Sequence, residues 1–183
     1  DNPLPGTLGR ICHFHCQMRC RREEIDSAVH QGELHRYIAD TLYKMGQEQE
    51  VYQHMVAAKH PATGKRIASV GAGPAGLSAA FYLVRLGHEV TVYDGHSKGG
   101  GVLRYGIPAY RLPRDVLDKE LELFDLLGVR FRFNTVLGKE ISVASLKAAN
   151  DAVILALGSY HHSELRLEGS EGEGVIQGTE VLR

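Results

Sequence analysis

The sequence predicts an α/β protein, a parallel sheet flanked by helices, preceded by a small helical segment that carries the cysteines. Three observations predict it. Strand-like and helix-like stretches alternate from residue 66 onward, a glycine-rich turn joins the first strand to the first helix of that series, and Cys12, Cys16 and Cys20 all fall near the start. Alternation of this kind builds parallel sheets, because each crossover helix returns the chain to the same end.

The elements follow in order. Residues 1–60 read as a helical, cysteine-containing domain. After the cysteines, Leu34, Tyr37, Ile38, Leu42 and Met45 recur at helical spacing. "HPATGK" carries Pro and Gly and reads as a linker, with 61–65 as the boundary. From 66 to 183, "RIASVG" is a buried strand and "PAGLSAAFYLVRLG" a helix stopped at Gly87. "HEVTVYD" is a second strand, and "RDVLDKELELFDLLG" an amphipathic helix that also ends at a glycine. "VRFRFNT" alternates like a half-buried strand, and "SVASLKAAN" is a short helix with Ser142 as N-cap. "DAVILALG" is a continuous apolar strand expected to lie beside the first, its C-terminal end at the same crevice.

Composition excludes several classes. The 183 residues carry 21 Lys and Arg against 22 Asp and Glu, so no basic surface is offered to nucleic acid or acidic lipid. The apolar runs fall far short of the roughly 20 residues that span a bilayer, so no membrane insertion is expected. Three closely spaced cysteines make a poor disulfide framework, which suits reduced or metal-bound thiols and a cytoplasmic location. The first residue is Asp1 rather than Met, which reads as an excerpt or a processed product.

The chemistry concentrates in "VGAGPAG", which spells Gly71-x-Gly73-x-x-Gly76. It follows a strand and opens a helix, and the next strand ends in Asp94, at the distance of about 20 residues where a ribose-binding carboxylate belongs. Gly71 permits the tight turn, Gly73 lets backbone approach a pyrophosphate, and Gly76 lets helix and strand pack closely. The helix start offers unpaired N–H groups and a favourable dipole to phosphates. Asp94 would repel a 2′-phosphate. The motif alone leaves FAD and NAD open.

A wider set of motifs is more specific. "NPLPGTLGRIC", "CRREEID", "RYIAD", "VGAGPAGLSAAFYLVRLGHEVTVYD", "GGGVLRYGIPAYRLPRDVLDKE" and "LALGSY" together resemble the small subunit of NADPH-dependent glutamate synthase and its relatives, including the flavin and iron–sulfur half of dihydropyrimidine dehydrogenase. The resemblance implies a cysteine-rich helical domain with 4Fe–4S clusters, then nested FAD and NADPH domains. Hydride would pass from NADPH to FAD, and electrons through clusters to a larger electron-accepting subunit or domain. It places Gly71, Gly73, Pro74, Ala75, Gly76 and Asp94 at the FAD pyrophosphate and ribose. Gly101 and Leu103 fall in the loop near the flavin, and Arg111, Leu157 and Gly158 along the FAD cleft. The chain holds no second Gly-x-Gly-x-x-Gly, so NADPH is expected in the parent protein and not on this chain alone. The alternative is a scaffold or electron-relay subunit that keeps the fold without turnover.

Other residues near these motifs have plainer readings. Three consecutive glycines, Gly99 to Gly101, permit positive φ and close ligand approach. Pro108 and Pro113 are expected to hold "AYRL" extended. Arg104 and Arg111 could reach phosphate, although a lone arginine is more often a solvated surface residue. Tyr105 and Tyr110 read as packing residues, Arg21, Arg22 and the His161–His162 pair as surface. The remaining histidines show no partner acids.

The cysteines leave three readings open. Where the family reads Cys-Gly-Arg-Ile/Val-Cys, this chain has Leu8 in the first place and Cys12 in the last. On one straight helix Cys12 and Cys20 would lie about 12 Å apart along the axis, so a shared cluster needs a break in the helix. One reading is an iron–sulfur site completed by His13, His15 or another segment. Another is zinc held by three cysteines and a histidine. The third is a degenerate remnant with buried thiols.

Overall fold

The computed structural model describes residues 2–159, 167–170 and 172–182; Tyr160, the His161–His162 pair and Arg183 lie outside them. Four parallel strands form one sheet in the order β3-β2-β1-β4: β1 Arg66–Val70, β2 Glu89–Tyr93, β3 Arg130–Arg132 and β4 Ala152–Leu155. β1 pairs with β2 from Arg66↔Glu89 to Val70↔Tyr93, and with β4 from Ile67↔Ala152 to Val70↔Leu155. The expected adjacency of the last strand and the first is therefore observed.

Period-two alternation splits β1 between two cores. Ile67 joins Val90 and Val92 of β2 on one face, under α4 (Pro74–Arg85) and α6 (Arg114–Leu127). There Phe81 and Phe124 lie 6.3 Å apart between ring centroids, and Leu77, Leu117 and Leu127 are fully buried. Ala68 and Val70 face the other way, onto Leu146 of α7 (Val143–Ala149). α7 begins as expected: the Ser142 hydroxyl accepts the Ser145 N–H at 3.1 Å in a reciprocal capping box. α4 and α6 end at glycines in positive φ, +88° at both Gly87 and Gly128.

Several expectations need correction. The helix read from Leu34, Tyr37, Ile38, Leu42 and Met45 is present as α2 (Gln31–Met45), but Leu34, Tyr37, Ile38 and Met45 are exposed on it, while Gly32 and Ala39 are buried. The reason is a helix that the cysteine pattern concealed, α1 (Pro5–Ile11), which crosses α2 through small residues. A Cβ at Gly9 would lie 2.6 Å from the Arg36 nitrogen, so only glycine permits this approach. The bulky residues then face away. α3 (Glu48–Ala57) adds Tyr52 to the main core cluster, alongside Leu4. Residues 60–65 are tied to the sheet body, with His60 N–H donating to Arg85 at 2.8 Å and Thr63 N–H to Gly87 at 2.9 Å. Pro108 to Pro113 is a turn rather than extended, because the Arg111 and Leu112 N–H groups both reach the Pro108 carbonyl at 3.0 Å. β3 spans only three residues, and β4 is half-exposed. Among the described residues no helix is long and apolar enough to cross a membrane.

α1 has no side-chain cap of its own, and Pro5 opens it without an N–H. Its first free donors are satisfied across the fold. Glu120 of α6, 1% exposed, accepts the Gly6 N–H with Oε1 and the Thr7 N–H with Oε2 at 3.0 Å. Burial still dominates and pushes the carboxyl up to about 6 from 4.5. Its folded value lies above the unfolded one, so its contribution is fully present below about pH 4.5 and lost as pH rises through about 6. The loss amounts to about 2 kcal/mol. Thermal unfolding should therefore show stability falling across that window, and Glu120→Gln should flatten this component. Glu120→Ala leaves two buried N–H groups unpaired and should cost about 3 kcal/mol, read by denaturant unfolding. Gly9→Val should lower the melting temperature as well, by forcing α1 off α2.

Candidate functional site

The carboxyl ends of β1, β2 and β4 converge on a cavity of about 670 Å³. Its floor is the turn after β1. Gly71 has φ +109°, and a Cβ there would strike the Ala156 carbonyl at the end of β4. Gly76, in the first turn of α4, faces the Gly71 carbonyl just as closely. Both glycines are therefore demanded by the protein's own packing. Gly73 is different: its φ of −83° suits any residue, and a Cβ would meet nothing nearer than the Gly101 Cα at 3.9 Å. The missing side chain leaves open space on the cavity floor, the kind of cradle a phosphate-bearing ligand fills. Gly73 caps α4 without a side-chain bond and Pro74 has no N–H, so the first donors of a 12-residue helix point to this end.

Asp94, 8% exposed, forms one side. Its Oδ2 accepts the Ala72 N–H at 2.7 Å, and its Oδ1 accepts the His96 N–H at 2.8 Å and pairs with the His96 Nδ1 at 3.0 Å. A carboxylate has about four acceptor sites, so room for a hydroxyl remains on Oδ2. The His96 ring stacks on Tyr105, 4.3 Å between centroids. The expectation that the histidines lack acid partners thus fails at His96, two residues from Asp94, and also at His30 beside Glu33 and His54 beside Glu50.

The other walls come from two segments. Gly101, Val102, Tyr105 and Gly106 belong to the stretch around α5 (Val102–Tyr105), entered through Gly100 at φ +123° and Gly101 at φ +53°. Leu155 to Ser159, at the end of β4, close the opposite side.

Of the expected site residues, Gly71, Gly73, Pro74, Ala75, Asp94, Gly101, Leu157 and Gly158 meet around this cavity. Gly76 lies behind it as a packing residue. Leu103 is on α5 with its side chain in the main core, and Arg111 is exposed on the Pro108 turn; neither lines the cavity. Tyr110 is 91% exposed rather than packed. Arg104 is buried rather than a solvated or phosphate-reaching arginine. The sequence reading passed over Val102, Gly106, Leu155 and Ala156. Tyr105, four residues after the glycine run and read as a packing residue, lines the cavity as well.

The cysteines are not gathered. α1 ends at Ile11, so the chain does break before Cys12, and Phe14 turns it with φ +55°. Cys12 and Cys16 are exposed and Cys20 is half-buried, so the reading of buried thiols does not apply. The Phe14 N–H bonds to the Cys12 Sγ and the Val29 N–H to the Cys20 Sγ, each at 3.4 Å. The Val29 bond leads in holding the Cys20 thiol below its usual range. Leu8 is on α1, partly exposed. Among the described residues no group of three Cys, His, Asp or Glu side chains could hold a metal ion. The arrangement present does not fit a 4Fe–4S cluster or zinc.

Comparison with known proteins agrees with this architecture. The chain is 36% identical over 176 residues to the NADPH glutamate synthase small chain of Escherichia coli, covering 95% of this chain and 36% of that one. It is 36% identical over 197 residues to the NADP(+)-dependent formate dehydrogenase subunit beta of Moorella thermoacetica, covering 98% of this chain and 28% of that one. The chain thus spans about a third of the length of these curated relatives. Among solved structures, FprA, a Mycobacterium tuberculosis oxidoreductase in complex with NADPH, superposes with a TM-score of 0.59 at 24% identity. That match covers 65% of this chain and 28% of FprA, and it speaks to the fold alone. A 2-naphthoyl-CoA reductase matches with a TM-score of 0.56 at 28% identity, over 70% of this chain and 19% of that one. The profile of pyridine nucleotide-disulphide oxidoreductases matches residues 65–182, the whole parallel sheet with its cavity, and the chain belongs to that family.

Proposed function

We propose that the cavity holds the diphosphate and ribose of FAD, and that the parent protein passes electrons from NAD(P)H through this flavin to a larger partner subunit or domain in the cytoplasm. The observation that carries the reading is Gly73. Its neighbours Gly71 and Gly76 answer to contacts inside the fold, whereas no contact inside the fold demands a glycine at 73. A ligand backbone lying against the turn supplies the reason. The relatives support the nicotinamide and partner parts of the proposal: their names specify NADPH or NADP(+) and describe a small chain or a beta subunit.

FAD, when bound, supplies the chemistry, accepting hydride as a pair and releasing electrons singly. The residues of this chain do the rest. The first N–H groups of α4 face the phosphates, Oδ2 of Asp94 accepts from a ribose hydroxyl, and Val102, Tyr105, Leu155 and Leu157 keep water from the apolar part. Among the described residues the three thiols are not brought together, so no step is assigned to them.

Titration with FAD, followed by flavin fluorescence, tests the reading. Gly73→Val should weaken binding at least about tenfold, while the ligand-free chain loses only what the poorer helix cap costs, about 1 kcal/mol. Gly71→Ala should instead lower that melting temperature, by about 2 kcal/mol or more of stability, because both its φ and the Ala156 carbonyl forbid a side chain. Unchanged FAD affinity in Gly73→Val would overturn the proposal.

A further inference from the structure

The wall from Gly99 to Leu112 presents a physical difficulty. It enters through three glycines, two of them at positive φ, and contains only the four residues of α5 as regular structure. Such a segment has many conformations to lose, and something must hold it in place before a ligand arrives.

Two guanidinium groups do so by gripping carbonyls. Arg104 projects from α5 away from the cavity and is 8% exposed. Its Nε donates to the Gly99 carbonyl at 2.7 Å, and its terminal nitrogen donates to Asp118 of α6. Arg114, the first residue of α6, donates to the Leu103 carbonyl at 3.0 Å and the Ile107 carbonyl at 2.8 Å. The Gly100 N–H completes the attachment by reaching the Ala72 carbonyl of the phosphate-facing turn at 2.8 Å. Arg104 is thus the link at which the glycine run, α5 and α6 meet. Its two bonds use the planar fork of the guanidinium, which a lysine ammonium cannot reproduce. Asp118 supplies the opposite charge that allows the cation to be buried.

We infer that Arg104 is a positioning residue of the dinucleotide site: without touching the ligand, it fixes the Gly101–Tyr105 wall and so sets the affinity for FAD. This rests on the FAD reading of the cavity. The inference differs from a general structural role because the bonds of Arg104 go to the glycine run and to Asp118, and none of them belongs to the Glu120 cap.

The test uses the full chain and its Arg104→Lys variant, with Asp118→Asn as a milder second variant that keeps the guanidinium. Amide hydrogen exchange without ligand should speed up over residues 99–106 in both variants and stay unchanged over β1, β2 and the Glu120 contacts. FAD affinity should fall about tenfold or more in Arg104→Lys and by less in Asp118→Asn. Unchanged exchange over 99–106, or unchanged FAD affinity despite it, overturns the inference. Uniformly faster exchange in both variants also overturns it, showing a merely structural residue. Should the unaltered chain take up no FAD, the cavity reading fails, and faster exchange confined to 99–106 still establishes that Arg104 holds this wall.

Discussion

At the carboxyl end of the sheet, the close approach of Gly71 to the Ala156 carbonyl governs everything above it. The Gly71 N–H reaches the Tyr93 carbonyl and the Ala156 N–H reaches the Val70 carbonyl, each at 2.7 Å, so three strand ends are knitted within one residue of each other. No side chain fits at that crossing. The same turn points the start of α4 outward and places Ala72 where Asp94 and Gly100 can both bond its backbone. The free donors of α4, the Asp94 carboxylate and the glycine wall are thus positioned by one backbone constraint.

A second constraint joins the amino-terminal helices to this body. The carboxylate of Glu120 completes α1 from over a hundred residues away, in a setting where ionisation is opposed by burial. Because α1 runs directly into Cys12, the placement of the cysteine loop follows from an acid on α6. Its bonds to backbone N–H groups, not its charge as such, make it useful there.

How much of this was legible in the sequence depends on the range of the interactions. The β1–turn–α4–β2–Asp94 unit was legible because its signals are local: apolar periodicity, glycine spacing and an acid at a fixed offset. Most of the cavity floor followed. Arg104 was not legible, since its partners Gly99 and Asp118 identify themselves only after the segment folds back onto α6. α2 misled for the opposite reason: its apolar period was real, but α1 approaches through Gly9 and Ala39, and small residues carry little weight in a hydrophobic pattern. Asp94 was read as a ribose acceptor from spacing, while its bonds to Ala72 and His96 depend on turn geometry that spacing does not encode.

The two faces of the sheet are unequally covered. One carries a broad core beneath α4 and α6, the other a cluster of three buried residues under α7. Local opening costs least where burial is thinnest, which among the described residues is the side of β4 and α7. The cavity lies across that seam, floored by the firm half and walled by the looser one. Any occupant that touches both must therefore draw its binding free energy partly from suppressing this partial unfolding, and the edge strand becomes the part of the molecule whose order reports occupancy.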